Sequence, residues 1–213
     1  MTRDSAIVLF SGGLDSAVAL WWAKEKWKTY ALTFKYGKLN SNEVRSAKRL
    51  AERAEVARHF VVDVGFLKQV SELRKRLASQ AVDLSSFPPT YVPGRNTIFF
   101  GIAAHYAEIY NARHIITGHI GRDPFPDSKP TYIRAMNNAL SQASWLRKRH
   151  HVRITTPFAR STKEDVVRLA LKLEVPLDLT WSCHRNGKRP CGKCQGCLDR
   201  SGALNVLGFP AKR

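Results

Sequence analysis

The sequence predicts an α/β protein with a doubly wound parallel sheet of five strands and a small cysteine-containing segment at its C-terminal end. Short apolar runs alternate along the chain with stretches of helical periodicity, which is typical of a parallel sheet covered by helices on both faces. A glycine-rich turn follows the first apolar run directly, and all four cysteines lie between residues 183 and 197. The chain's 213 residues are enough for one domain with a small appendage.

Five runs of apolar and β-branched residues predict the strands. The first is continuous and apolar, as in a central strand buried on both faces. The others are four to six residues long and follow helical segments, as expected for parallel strands joined by crossovers. The predicted strands span residues 6–10, 30–34, 59–64, 114–117 and 152–155.

Apolar residues at spacings of three and four predict the helices between these strands. Ser41 is expected to cap the second helix, and Ser161 with Glu164 forms the pattern of a capping box before the sixth. Clusters of proline and glycine in 81–96 and 118–130 predict irregular loops. The predicted helices span residues 14–23, 42–54, 66–77, 97–110 and 132–147, one from the capping box to 172, and 198–207.

Lys and Arg outnumber Asp and Glu by 35 to 17, which gives a formal net charge of +18. Such a charge attracts anions, so nucleotides, nucleic acids and acidic membrane surfaces are candidate partners; the alternative is a basic surface that only water contacts. A hydrophobic fraction of 44% excludes a disordered chain. No run reaches the roughly 18 apolar residues of a membrane helix or has the pattern of a signal peptide, so we expect a cytoplasmic protein.

A phosphate-binding loop is predicted where the first strand meets the first helix. Two glycines let backbone N–H groups approach an anion, and the helix N-terminus adds partial positive charge. The spacing differs from the usual P-loop and from GxGxxG. The segment resembles the SGGxDS pyrophosphate (PP) loop of ATP pyrophosphatases, which implies ATP as substrate, Mg²⁺ on its phosphates and Asp15 as the carboxylate near that ion. The loop comprises Ser11, Gly12, Gly13, Leu14, Asp15 and Ser16.

The four cysteines predict a metal site. Two x2 spacings can place the thiolates of Cys183, Cys191, Cys194 and Cys197 around one ion, and four thiolates are the pattern of structural zinc. An iron–sulfur cluster is the alternative metal reading. Redox chemistry at one CxxC pair would leave the other two cysteines without a role. His184 adjoins the first cysteine and is expected to be an exposed loop residue rather than a ligand.

Taken together, these motifs resemble those of the 7-cyano-7-deazaguanine synthase family, over nearly the whole chain. The cysteine spacing with the preceding Trp181-Ser182 is the most diagnostic feature. The resemblance implies a Rossmann-like nucleotide-binding domain of the adenine nucleotide alpha hydrolase type at 1–178, and a zinc-binding segment with a terminal helix at 179–213. Its other motifs are Tyr36-Gly37, the segment 92–97, Pro126-Asp127, the segment 135–137, Thr156-Pro157 and the segment 190–197.

The resemblance also implies the chemistry of an ATP-dependent, C–N bond-forming ligase. ATP adenylates 7-carboxy-7-deazaguanine, ammonia displaces AMP to give an amide, and a second ATP converts the amide to the nitrile. Asp15, Arg95 and Asp127 are the implied catalytic residues. Tyr36 and Gly118 join the phosphate loop in binding ATP, and zinc is structural. Asn96 is expected either to cap the helix that follows it or to contact the base.

Two segments depart from the family pattern and leave other functions open. After Tyr36-Gly37 the family usually carries Gln and His, whereas this chain has Lys38-Leu39-Asn40. The second segment is the loop after the fourth strand. Between 117 and 129 only Gly118, Asp123 and Pro126-Asp127 match the family on the acceptor side, while Arg122 and Lys129 add positive charge. A ligase that joins a deazaguanine acid to an amine of a macromolecule, and a tRNA-modifying enzyme, are therefore alternatives. A zinc-dependent nucleic-acid binder would leave the phosphate loop unexplained. A homodimer is expected, and the basic run 147–153 could contact phosphates or end a solvated helix.

Overall fold

The computed structural model describes residues 4–36, 40–80, 83, 88, 91–121, 123–145, 151–185 and 187–208. Strands and helices alternate as the sequence predicts. The strands are β1 (Ser5–Leu9), β2 (Lys28–Lys35), β3 (Arg58–Asp63), β4 (Ala112–Ile116) and β5 (Arg153–Thr155). The helices are α1 (Leu14–Lys24), α2 (Ser41–Arg53), α3 (Val70–Ser79), α4 (Arg95–Ile109), α5 (Pro130–Ala143), α6 (Lys163–Lys172) and α7 (Gln195–Val206).

The five strands form one parallel sheet in the order β3-β2-β1-β4-β5. The chain moves outward from β1 to β3, returns to place β4 on the other side of β1, and ends at β5. The direction therefore reverses beside β1, and ligands of doubly wound sheets bind at this reversal, outside the carboxyl ends of the strands. The predicted fold class is confirmed, and the phosphate loop after β1 lies at this reversal.

Each face of the sheet is covered by a separate hydrophobic cluster. One cluster joins α1, α2, α6 and α7, and Leu20 and Val167 are fully buried in it. The other joins α4 and α5 across the opposite face, around Phe100 and Ile115. Because α7 shares the first cluster, the segment after 178 packs on the same core as the phosphate loop's helix. The domain boundary at 178/179 stays a prediction.

Several helix ends differ from the predicted ones. α2 begins at Ser41 itself, and its N-cap is Asn40. The capping box of α6 is formed by Thr162 and Asp165, one residue later than predicted: the Thr162 hydroxyl accepts the Asp165 N–H at 3.2 Å, and the Asp165 carboxylate accepts the Thr162 N–H at 2.9 Å. Both S/T-x-x-D/E pairs are present in the sequence, and only tertiary packing selects between them.

Other element boundaries shift by a few residues. A 3₁₀ turn at Gly65–Gln69 replaces the first turn of the predicted third helix. α4 starts two residues early, and α7 starts three residues early, so that Cys197 lies in its first turn. α5 ends at Ala143, and most of the basic run lies outside the described residues. No helix in the described parts of the chain has the length and apolar character needed to cross a membrane.

Candidate active site and metal centre

A cleft of about 490 Å³ opens at the carboxyl ends of β1, β2 and β4. The phosphate loop forms its floor, and α4 and the loop after β4 form one side. The C-terminal segment supplies the other side through Trp181, Ser182, His184, Gly196 and Asp199. The cleft is therefore built from both parts of the chain that carry motifs.

The hydroxyl groups of the phosphate loop are bonded to the loop itself. The Oγ atoms of Ser11 and Ser16 lie 3.0 Å apart, and Ser11 Oγ also accepts the Gly13 N–H at 3.2 Å. Ser16 Oγ donates to the Gly13 carbonyl at 3.0 Å and accepts the Ser11 N–H at 3.2 Å. These bonds hold the turn in shape at the N-terminus of α1, where an anion is favoured.

Two glycines allow close contacts that a side chain would block. Gly12 has a φ of +82°, and a Cβ there would lie 2.5 Å from the Ala47 nitrogen and from the Glu43 carbonyl oxygen of α2. A Cβ on Gly118, after β4, would lie 2.8 Å from the Asp15 carbonyl group at the start of α1. Gly12 therefore packs the loop on α2, and Gly118 packs the end of β4 on the loop.

The Asp15 carboxylate is paired with a lysine that the sequence analysis missed. Lys163 Nζ, at the first turn of α6, lies 2.6 Å from each of its oxygens. Both side chains are partly buried, with exposed fractions of 20% for Lys163 and 30% for Asp15. Lys163 lies 148 positions away in the chain, so only the fold reveals this pair, which sits in the cleft.

Arg95 lines the cleft, whereas Asp127 does not. The Asp127 carboxylate accepts the backbone N–H of Asn96 and a side-chain N–H of Asn96, both at 3.0 Å. It thus satisfies a free N–H in the first turn of α4, the helix that carries Arg95. In this structure Asp127 therefore holds the start of α4, and its catalytic role stays a prediction. Asn96 does not cap α4 as one of its two predicted roles required, because Gly94 occupies the N-cap position of this helix. The Asn96 side chain donates to Asp127 instead.

The β2 end of the cleft is aromatic and contains a carboxyl group. The rings of Phe34 and Phe99 stack with centroids 3.9 Å apart, and Tyr36 lies beside them. Burial raises the pKa of Glu43 to about 7, although a hydrogen bond from Asn40 and the charge of Arg95 oppose this shift. Burial also raises the pKa of Tyr36 well above its usual range, so its hydroxyl stays a donor at neutral pH.

His119 lies in the cleft beside the phosphate loop and was not predicted as a site residue. Its Nδ1 lies 3.1 Å from the hydroxyl of Thr117. Burial lowers its pKa, with Asp123 opposing and Arg95 reinforcing the shift. A neutral imidazole is therefore expected at pH 7. The departure of loop 119–129 from the family pattern is the sequence signal that could have drawn attention to this position.

The C-terminal segment is bonded directly to the phosphate loop. The backbone N–H of Trp181 donates to the Gly12 carbonyl at 2.9 Å. Ser46 Oγ lies within hydrogen-bond distance of the carbonyls of both Gly12 and Leu179, at 2.9 and 2.5 Å. Arg200 of α7 donates to the Thr180 hydroxyl and, at 2.6 Å, to the Leu177 carbonyl. The shape of the cleft floor therefore depends on the placement of residues 177–181.

The four cysteines converge, as predicted. The Sγ atoms of Cys183, Cys191, Cys194 and Cys197 all lie within 4.8 Å of one another. The Cys183–Cys194 pair is separated by 3.9 Å, close to the edge of about 3.8 Å expected for four sulfurs at ~2.3 Å from one ion. A four-iron cluster spreads its cysteines more widely, because each binds a different iron. The spacing therefore fits a single tetrahedral ion.

Backbone N–H groups stabilise the sulfur atoms of this cluster. Cys183 Sγ accepts the N–H of Arg185 and of Cys191, both at 3.3 Å, and Cys194 Sγ accepts the His184 N–H at 3.4 Å. Such bonds favour thiolates, the form that binds metal. The His184 side chain is exposed and outside the four-sulfur group.

Most predicted site residues meet in this one region. Arg122, Gly37 and residues 146–150 lie outside the described residues. Gly12 faces α2 rather than the cleft, so it supports the phosphate loop without lining the cavity. The predicted residues that line the cleft are Ser11, Gly13, Leu14, Asp15, Ser16, Tyr36, Arg95 and Gly118.

The fold and the loop define a PP-loop nucleotide-binding protein with a cysteine-rich metal site. Solved structures share this fold at low sequence identity. An NMN synthetase from Francisella tularensis aligns with 99% of the chain and 79% of its own, at a TM-score of 0.51 and 18% identity. A U34-tRNA thiolase from Methanococcus maripaludis, solved with its [4Fe-4S] cluster, aligns with 98% of this chain and 66% of its own, at a TM-score of 0.52 and 17% identity.

Sequence comparison gives the family. Residues 5–208 match the family described as Queuosine biosynthesis protein QueC, and the chain belongs to that family. The 7-cyano-7-deazaguanine synthase of Persephonella marina is 38% identical, covering 97% of this chain and 94% of its own. That of Thermoplasma acidophilum is 39% identical, covering 98% and 89%. The predicted resemblance is confirmed.

Proposed function

We propose that this protein is a 7-cyano-7-deazaguanine synthase that converts 7-carboxy-7-deazaguanine and ammonia to the nitrile at the expense of ATP. The observation that carries the proposal is the cleft itself: a phosphate loop, the Asp15–Lys163 pair and an aromatic end lie together in one cavity. Family membership supplies the identity of the acid.

The phosphates of ATP fit the floor of the cleft. The Gly13 region and the N-terminus of α1 favour an anion there, and Ser11 and Ser16 can turn their hydroxyls toward it. Asp15 is the carboxylate suited to hold Mg²⁺, because oxygen donors are the ligands this ion prefers. Magnesium would neutralise charge on the phosphates, and Lys163 adds a positive charge beside the same group.

The aromatic end of the cleft fits a planar ring. Phe34, Tyr36 and Phe99 provide flat apolar surface, and Glu43 and Asn40 provide polar atoms at its edge. Both ATP and the deazaguanine acid carry such a ring. Arg95 lies between this end and the loop after β4, in a position to hold a carboxylate or a phosphate.

The reaction needs positioning and charge stabilisation rather than a protein nucleophile. A carboxylate oxygen of the acid attacks the α-phosphorus of ATP, and pyrophosphate leaves. Ammonia attacks the acyl carbon, and AMP leaves with the carboxylate oxygen, which gives the amide. The amide oxygen then attacks a second ATP, pyrophosphate leaves, and loss of AMP and two protons gives the nitrile. The product is thus formed by an ATP-dependent ligase that releases AMP.

We propose zinc as the ion of the cysteine site, with a structural role. Four sulfur ligands leave no open position for substrate. The site holds residues 183–197 in place, and the Trp181–Gly12 bond carries that placement to the phosphate loop. A cytoplasmic location and a homodimer are consistent with a biosynthetic enzyme and stay predictions.

The decisive experiment supplies purified protein with ATP, Mg²⁺ and 7-carboxy-7-deazaguanine, with and without ammonium, and follows AMP and nitrile by mass spectrometry. We expect two AMP for each nitrile, and adenylate without nitrile when ammonium is omitted. Absence of AMP with this acid would refute the proposal. Adenylate that never yields nitrile in excess ammonium would instead support the ligase that modifies a macromolecule.

A further inference from the structure

Part of the protein's excess positive charge lies on a surface next to the cleft. Helix α2 exposes four cations, and their spacings of three and four residues place them on one face of the helix. These residues are Arg45, Lys48, Arg49 and Arg53. The only acidic residue within the same stretch is Glu52. The side of α2 that faces away from the core is therefore strongly basic.

The cysteine-containing segment adds a second group of cations. Between Asp178 and Asp199 the chain contains no acidic residue. Four cations on this segment are exposed: Arg185, Lys188, Arg189 and Lys193. A zinc ion with four thiolates carries a net charge of −2. The eight cations of α2 and this segment, together with the −2 of such a zinc site and the −1 of Glu52, give this surface a net charge of about +5.

A direct contact joins the two groups. The side-chain amide of Asn42, in the first turn of α2, donates to the Gly187 carbonyl at 2.7 Å. Gly187 adjoins Lys188, and Arg45 donates to Asn42 at 3.1 Å. The two groups thus form one continuous surface, which we name the basic ridge. It consists of Arg45, Lys48, Arg49, Arg53, Arg185, Lys188, Arg189 and Lys193.

Ion pairs within the described part of the protein do not account for the cations of the basic ridge. Within the described residues, none of the eight forms an ion pair with a carboxylate. None of them lines the cleft, whose cations are Arg95 and Lys163. Binding of ATP and an acidic substrate therefore does not require the ridge.

We propose that the basic ridge binds the phosphate backbone of a nucleic acid. Five of its eight cations are arginines, whose planar guanidinium groups match phosphate oxygens. From Arg45 to Arg53 the ridge extends about 12 Å along α2, which corresponds to three or four base-pair steps at ~3.4 Å each. A polymer with regularly spaced phosphates can contact all of it at once, whereas one nucleotide cannot.

An acidic membrane surface fits the ridge less well. Membrane-binding surfaces combine cations with apolar side chains that enter the lipid. The large exposed hydrophobic residues described in the structure lie outside α2 and outside residues 183–194. The ridge also adjoins the cleft mouth through His184 and Gly196, so a bound strand would lie beside the site of catalysis.

The test measures binding of labelled 20-base-pair RNA and DNA duplexes by fluorescence anisotropy between 25 and 200 mM KCl. We expect binding that weakens steeply with salt, with a logarithmic slope of about −0.9 for each DNA phosphate neutralised. The variants Arg45→Ala/Arg49→Ala and Lys188→Ala/Arg189→Ala should each weaken binding about tenfold and lower the slope by about two. The relative affinity for RNA and DNA identifies which polymer fits better.

A charge-matched control separates the ridge from the general charge of the protein. Arg113→Ala/Arg134→Ala removes two exposed arginines, one on β4 and one on α5, outside the ridge. Its affinity for duplex should stay within about twofold of the wild type. All variants should keep their thermal midpoint, zinc content and AMP release, so the result does not depend on the proposed synthase activity.

Three outcomes would overturn the proposal. The first is no duplex binding at 25 mM salt. The second is an equal loss of affinity in the control and in the ridge variants. The third is binding to vesicles that contain acidic lipid at salt concentrations where duplex no longer binds, which would assign the ridge to a membrane.

Discussion

The phosphate loop and the cysteine cluster are the two motif-bearing regions of the molecule, and they obtain their order in different ways. The loop is held by bonds within the protein: Ser11 to Ser16, Gly12 against α2, and Asp15 to Lys163. The cluster has thiol groups and backbone N–H donors, but its exposed segment buries few apolar side chains. The first region is formed by packing, and the second brings together four sulfur atoms close enough to bind an ion.

Because of this difference, we expect the two regions to contribute differently to the stability of the fold and to activity. The loop can lose a chemical group and stay folded, because its shape is determined by glycine contacts and the hydrophobic cluster around α1. The cysteine segment is expected to lose order when it loses a ligand to the proposed ion, and the bond from the Trp181 backbone N–H to the Gly12 carbonyl links it to the loop. Mutations in the two regions should therefore change activity and stability in different proportions.

The largest effect is expected at Asp15. Asp15→Ala removes the carboxylate proposed to hold Mg²⁺, so AMP release should fall by at least about 10³-fold. The thermal midpoint should fall by only a few degrees, because Lys163 loses its partner but both side chains are partly exposed. AMP release is measured by chromatography in saturating ATP. Asp4→Ala, at the opposite end of β1, is the control and should keep its activity; normal turnover in Asp15→Ala would contradict the assigned role.

Cys191→Ser should affect stability first and activity as a consequence. Loss of one of four thiolates should reduce bound zinc to a small fraction of one ion per chain. It should also destabilise the fold by about 3 kcal/mol, or roughly 6–12 °C for a chain of this size. Zinc content and the melting curve are measured on the same sample. If stoichiometric zinc and the melting curve are both retained, the cluster is not a structural site.

A glycine substitution tests the claim that packing forms the loop. Gly118→Ala would place a Cβ 2.8 Å from the Asp15 carbonyl group, which should cost about 1–3 kcal/mol of stability and raise the KM for ATP. The control is Gly101→Ala on α4, where the Cβ meets nothing within 4 Å. That change should stabilise the protein by about 0.5–1 kcal/mol. Equal effects of the two substitutions would contradict the packing argument.

The smallest effect is expected at Glu43 and depends on pH. Its pKa is raised to about 7 by burial, so the folded protein holds a proton that the unfolded chain releases near pH 4.5. The stability contributed by this group is complete below pH 4.5 and is lost as the pH rises through 7. Glu43→Gln should therefore gain about 1 kcal/mol over the wild type at pH 8 and nothing at pH 4.

This prediction is measured by urea unfolding at both pH values. Steady-state kinetics with the same variant also test which substrate binds at the aromatic end of the cleft. A rise in the KM for one substrate alone identifies which ring lies beside Glu43. An unfolding free energy that differs equally from wild type at both pH values would show that Glu43 does not carry the shifted proton.

The sequence by itself determined the features that depend on neighbouring residues. The strand and helix order, the glycine turn after β1 and the spacing of Cys191, Cys194 and Cys197 are local patterns, because each follows from backbone freedom or from the reach of adjacent side chains. The fold class and the family could be predicted from them. Charge could be counted in the same way, and the spacing of the cations on α2 is also local. The contact that joins them to the cations of the C-terminal segment could not be predicted.

Tertiary structure alone decided the features that join distant parts of the chain. Lys163 meets Asp15 across 148 positions, and Asp127 meets Asn96 across 31. The capping box of α6 uses Thr162 and not Ser161, because packing sets where the helix begins. These contacts depend on how the crossovers place α4 and α6 around β1, and a single sequence carries no local signal for that placement.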